Sequence, residues 1–185
     1  MVATGLTSLF DDWRGRRPTF GLRDLLQVDP PPPAARGELP EVMGGIEKRS
    51  EAGEGRVVYI SQVEPSMSRP RFAGMTNDYW KLPANSEQLR DAVEWAAGGE
   101  LSLDVEAPSY VVAELLEQKD QNKLLLHLVN FNVTRVPAVR GIGVDLKTPS
   151  GFSPKTITLM TADHEQSLII PFQTARARTQ FTVPE

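Results

Sequence analysis

Residues 110–132 read YVVAELLEQKDQNKLLLHLVNFN, and the fold of the chain is read outward from them. Two runs rich in apolar residues, Tyr110 to Gln118 and Leu124 to Phe131, flank the polar stretch Lys119 to Lys123. Strand-forming runs of this length around a short polar segment predict a β-hairpin. The second run is apolar at nearly every position, the pattern of a strand covered on both faces or lying at the centre of a sheet rather than its edge. His127 interrupts it, alternating with Leu125, Val129 and Phe131. A lone histidine in that company is expected to be a partly buried structural residue rather than a base or ligand.

Downstream of the hairpin, Ile142 to Leu146, Lys155 to Met160, Ser167 to Phe172 and Arg178 to Val183 form four more short strand patterns, punctuated by turns such as Pro149-Ser150-Gly151. Just upstream, Leu101, Leu103 and Val105 alternate with Ser102, Asp104 and Glu106, as in a strand with one wet face. Closely spaced strands with no helical period among them predict an antiparallel β-sandwich over residues 100–185.

Residues 1–99 have a different texture. Val2-Ala3-Thr4-Gly5 reads as the end of a strand running into a glycine turn, with partner strands expected before it. Thr19 to Leu26 has the spacing of about two helical turns, with Thr19 as N-cap. Residues 28–55 hold four consecutive prolines, several glycines and mixed charge, the composition of a linker with a polyproline II segment. Arg56 to Gln62 predicts a buried strand. The clearest helix is Ser86 to Ala97, with Asn85 as N-cap, Gln88 completing a capping box, and Leu89, Ala92, Val93, Ala96 and Ala97 on one stripe. Gly98-Gly99 ends it. The expected class is therefore α+β: a partial α/β layer followed by an antiparallel β-sandwich.

Composition narrows the function classes. Basic and acidic residues number 20 and 24, giving a net charge of -4 without a basic cluster, so no nucleic-acid footprint is expected. The chain has no cysteine, which removes disulfides, thiolate catalysis and Cys-type zinc sites and is compatible with a reducing compartment or with bacterial secretion. The first residues lack the basic start and apolar core of a signal peptide, and no apolar run approaches the ~20 residues of a membrane span. The expectation is a soluble, cytoplasmic chain without a membrane or cofactor partner.

Chemistry-bearing patterns are sparse. Asp104 and Glu106 lie two positions apart on one strand face, about 7 Å between Cα atoms, inside the range of inverting glycosidase carboxylates. Any strand with alternating acids meets that criterion. His164 sits between Asp163 and Glu165 without a second histidine nearby, so a solvated turn is favoured over a metal site. Gly141-Ile142-Gly143 precedes a strand, not the helix a phosphate loop needs. Asn132-Val133-Thr134 has the form of a glycosylation acceptor. Trp13, Tyr79 and Trp80 lie in polar contexts where an aromatic can stack on a sugar or seal an interface, with packing on their own domain as the default.

The opening ATGLTSLFDDWRGRRPTFGLRDLL resembles the end of the class I glutamine-amidotransferase-like domain, also called the β-galactosidase trimerisation domain, of bacterial glycoside-hydrolase-like proteins. The family wording is close to A-T-G/Y-E-T-S-L-Y-D-E-x-G-x-x-R-x-x-F-x-L-A-D-L-F-G; here Leu6 replaces the usual Glu, and Phe10, Asp11 and Asp12 replace Tyr-Asp-Glu. GEGRVVYISQ, WKLPANSEQLRDAVEWAAGGELSLDVEAP and KLLLHLVNFN are similar to the strand, helix and carboxy-terminal sandwich that follow in those proteins. The resemblance implies an accessory, non-catalytic region, with the catalytic acids on an upstream (β/α) barrel, and roles in assembly or in shaping the cleft; a second copy of the chain and carbohydrate are the other partners expected. A free-standing carbohydrate-binding sandwich that uses Trp13, Tyr79 or Trp80 is the competing expectation, and an enzyme built on Asp104 and Glu106 is a third.

Overall fold

The computed structural model describes residues 1–68, 81–131, 138–162 and 165–184. The chain divides into two compact units, one built from Met1–Ser68 and Leu82–Glu100, the other from Leu101 onward.

The first unit is a small layered structure around one strand. Strand β1 (Val2–Thr4), helix α1 (Arg23–Leu26), strands β2 (Glu47–Ala52) and β3 (Gly55–Ile60) and helix α2 (Ser86–Ala96) follow in chain order. The sheet order is β1-β3-β2, with β1 parallel and β2 antiparallel to β3. Val57, Val58, Tyr59 and Ile60 are all buried because helices cover both sides of β3. Val57 and Tyr59 pack with Ala3, Leu9, Phe20 and Leu26 on the α1 side. Val58 and Ile60 pack with Ala92, Leu89 and Trp95 on the other. A strand buried on both faces needs this unbroken apolar run.

Strand β1 pairs with β3, downstream of it. Three expectations are corrected here. Part of the expected linker, Glu47–Ala52, is strand β2, an edge strand held by main-chain pairing to β3. Helix α1 is one turn, not two, because the Ser8 carbonyl accepts the Gly21 N–H and the Ser8 hydroxyl accepts the Leu22 N–H, so residues 19–22 form turns. Asn85 makes no side-chain cap: its Oδ1 accepts from Glu64 N–H at 2.9 Å and its Nδ2 donates to Gln62 O at 2.9 Å and to Gln88 Oε1 at 3.0 Å. It ties the preceding loop to the helix start. On α2, Trp95 faces the sheet with Leu89 and Ala92, while Val93 is exposed; Arg49 and Arg56 lie over the Trp95 ring, 5.5 and 5.3 Å from its centroid.

The second unit is antiparallel throughout its described strands. These are β4 (Leu103–Glu106), β5 (Val111–Gln118), β6 (Lys123–Asn130), β7 (Ile142–Lys147), β8 (Ile157–Leu159), β9 (Leu168–Ile170), β10 (Phe172–Ala175) and β11 (Arg178–Val183). They form a four-stranded sheet ordered β10-β11-β7-β4 and two hairpins, β5-β6 and β8-β9. The stretch read first is a hairpin, closed by a 3₁₀ turn over Lys119–Gln121 and by Asn122 at φ 49°. One hairpin face, carrying Val111, Leu124, Leu126 and Leu128, packs on Ile142, Val144, Leu146 and Val183 of the sheet. That cluster is the core of the unit, and it fixes which side of each sheet strand faces outward.

Candidate functional site

Alternation along β4, β7, β10 and β11 places the residues next to the core ones on the opposite, wet face of the four-stranded sheet. Registers put Asp104, Asp145, Gln180 and Gln173 side by side across the four strands. The next row is Glu106, Gly143 and Thr182. Together they line a groove of about 570 Å³. Gly143 keeps its floor low: a Cβ there would lie 3.3 Å from Glu106 Cβ and 3.4 Å from its Oε2.

The groove is organised by Arg178. Its Nε donates to Asp145 Oδ1 at 2.6 Å, and its two terminal nitrogens donate to Leu101 O at 3.1 Å and Asp145 O at 3.2 Å. Gln180 Nε2 donates to the second carboxylate oxygen of Asp145 at 2.8 Å. Partial burial works to raise the Asp145 pKa, but the Gln180 amide and the Arg178 guanidinium outweigh it and hold the carboxyl below its ordinary value. Asp145 is therefore a committed structural anion. Asp104 and Glu106 remain exposed as hydrogen-bond acceptors on the β4 side of the groove, with the amide of Gln173 and the hydroxyl of Thr182 lining it from β10 and β11. This set suits hydrogen bonding to a polyhydroxylated ligand. Among the described residues no three His, Asp or Glu side chains converge as a metal site.

The expected site residues fall in different places. Trp13 does not pack on its own unit: it is 92% exposed at the tip of a tight turn. Asp11 Oδ1 accepts from the N–H of Trp13 at 3.0 Å and of Gly15 at 2.6 Å, and Phe10 bridges Arg16 below. A Cβ on Gly15 would meet Asp11 Oδ2 at 2.9 Å, so the turn favours glycine. Tyr79, Trp80, Asp163, His164 and the Asn132–Thr134 acceptor lie outside the described residues.

His127 corrects another expectation. Its side chain is 54% exposed, on the hairpin face turned away from the core, with Nδ1 3.8 Å from Glu114 Oε2. The same face carries the cross-strand pairs Val112–Val129 and Leu116–Leu125. Val112, Leu116 and Val129 are each more than two-fifths exposed. The apolar second strand of the hairpin is thus covered on one face only among the described residues. Reading the sequence found Asp104 and Glu106 but missed Gly143, Gln173, Gln180 and Thr182. Their signal was the period-two alternation of β7 and β11, which says which residues share a face but not which strands are neighbours.

Comparison with protein-family models, curated proteins and solved structures gives no match. No helix among the described residues is long and apolar enough to cross a membrane.

Proposed function

We propose that this chain is a non-catalytic accessory region of a glycoside-hydrolase-like protein, serving assembly or the shaping of a substrate cleft beside an upstream barrel. The observation that carries the assembly role is the outer face of the β5–β6 hairpin, where apolar side chains on a regular two-stranded surface stand in water. Apolar patches of this kind mark interaction surfaces. The order of parts also supports the reading, since a strand-centred layer with helices on both sides precedes an antiparallel unit, as the resemblance of ATGLTSLFDDWRGRR and GEGRVVYISQ implies. The test is an assay of the purified chain on a panel of aryl glycosides. No turnover is expected; hydrolysis that survives repurification and follows the protein peak overturns the proposal.

The groove over Gly143 favours a second reading, a carbohydrate-binding module. Its acceptors and amide side chains can pair with sugar hydroxyls, although the exposed indole of Trp13 belongs to the other unit. Affinity electrophoresis in soluble polysaccharides separates the two readings. Retardation that is lost in Glu106→Ala or Gln173→Ala supports binding at the groove, and equal mobility with and without every polysaccharide opposes it.

A further inference from the structure

We propose, resting on the assembly reading above, that the outer face of the β5–β6 hairpin docks on the same face of a second copy of this chain, about a two-fold axis parallel to the strands. The face is four cross-strand rows deep: Val112 with Val129, Glu114 with His127, Leu116 with Leu125, and Gln118 with Lys123 at the turn end. A charged and polar pair is thus set between two apolar rows. Rotation about an axis along the strands, midway between two stacked faces, lays β5 of one copy over β6 of the other. Val112 then meets the partner's Val129, Leu116 meets the partner's Leu125, and each Glu114 meets the partner's His127.

The alternative axis, perpendicular to the strands, stacks Glu114 on the partner's Glu114 and valines on leucines. Like-charge juxtaposition disfavours that arrangement and fixes the register. Glu114 Oε2 and His127 Nδ1 face each other at 3.8 Å within one copy, and both side chains are more than half exposed, so each can also reach the partner's opposite member across the stacked faces. Isologous contacts of this kind need a self-complementary surface, and aligned stacking of sheets about 10 Å apart is a normal packing mode.

Size sets the strength. Eight residues per strand at about 3.4 Å each give a face about 27 Å long and about 10 Å wide. Its footprint of roughly 270 Å² per copy is well below the ~800 Å² per partner of a standard stable interface. Association should be weak and rise with concentration.

Sedimentation velocity of the full chain, from about 20 μM to about 1 mM, tests this. The expected result is a monomer–dimer equilibrium that Val129→Glu abolishes. His127→Glu, which sets Glu against Glu, should weaken dimerisation about tenfold or more, and the exchanged variant Glu114→His with His127→Glu should return it to within about threefold. All of these positions are exposed, and far-UV circular dichroism of each variant checks that the hairpin is kept. A chain that stays monomeric to the highest concentration overturns the proposal, as does a dimer indifferent to His127→Glu and Val129→Glu. Either result leaves the aryl-glycoside test standing, and turnover there would overturn the accessory reading without touching the dimer.

Discussion

Arg178→Ala is the substitution whose consequence can be worked furthest. Arg178 joins the Asp145 carboxylate, the Asp145 carbonyl and the Leu101 carbonyl, so it pins β11 to β7 and to the entry of β4. Hydrogen bonds to charged groups contribute ~1.5–3 kcal/mol when protected. Arg178 and Asp145 are 28% and 32% exposed, so solvent screening reduces that figure. A net loss of about 2 kcal/mol at pH 7 is expected, and for a unit of this size it corresponds to a fall of roughly 10 °C in Tm.

The pH dependence separates charge from packing. The folded-state pKa of Asp145 is depressed, so its stabilisation is fully present above the ordinary aspartate value of 3.8 and is lost as pH falls through the depressed value. The two bonds from Arg178 to main-chain carbonyls do not titrate. Urea unfolding followed by far-UV circular dichroism at pH 7 and at a pH below the ordinary aspartate value should therefore show the gap between wild type and Arg178→Ala narrowing without closing. A gap below about 0.5 kcal/mol at pH 7, or one of equal size at both pH values, would refute the reasoning.

Three further outcomes follow from the first unit. Phe20 is 2% exposed against the Tyr59 ring, 5.9 Å between centroids, and Phe20→Ala should cost about 3–4 kcal/mol in urea unfolding. Tyr59→Phe removes the hydroxyl that donates to Gly5 O at 2.9 Å and should cost about 1 kcal/mol. Burial also raises the Tyr59 pKa, so an alkaline absorbance titration should show a late-titrating phenol that this variant lacks. Gly15→Ala forces Asp11 aside and should speed hydrogen exchange at the Trp13 and Gly15 amides while leaving the Val58 amide protected.

What was legible in the sequence is what depends on local pattern. The β5–β6 hairpin, the buried β3 and the amphipathic α2 each follow from a period and a stop signal within about a dozen residues. Strand β2 was hidden because Glu-Lys-Arg-Ser-Glu-Ala has no apolar alternation; its conformation comes from pairing with β3 and from the Ser50 hydroxyl donating to Leu25 O at 2.7 Å. The single turn of α1 was hidden because the competing acceptor, Ser8, lies more than ten residues upstream. The groove was half visible. Asp104 and Glu106 announced a wet strand face, but only the registers across β4, β7, β11 and β10 bring Asp145, Gln180 and Gln173 beside them. The apolar run of β6 was misread as covered on both faces: Val129 and His127 on its outer face are exposed, and sequence alone does not distinguish a face left in water from one that another chain covers.

That distinction is open to one direct measurement. In a sample mixing uniformly carbon-13-labelled and unlabelled chain at high concentration, a filtered NOE experiment reports only contacts between copies. Cross-peaks from the Val112 methyls to the partner's Val129, and from Leu116 to the partner's Leu125, are predicted. Absence of any intermolecular cross-peak at the hairpin, with dimer present or with the chain wholly monomeric, would contradict the account.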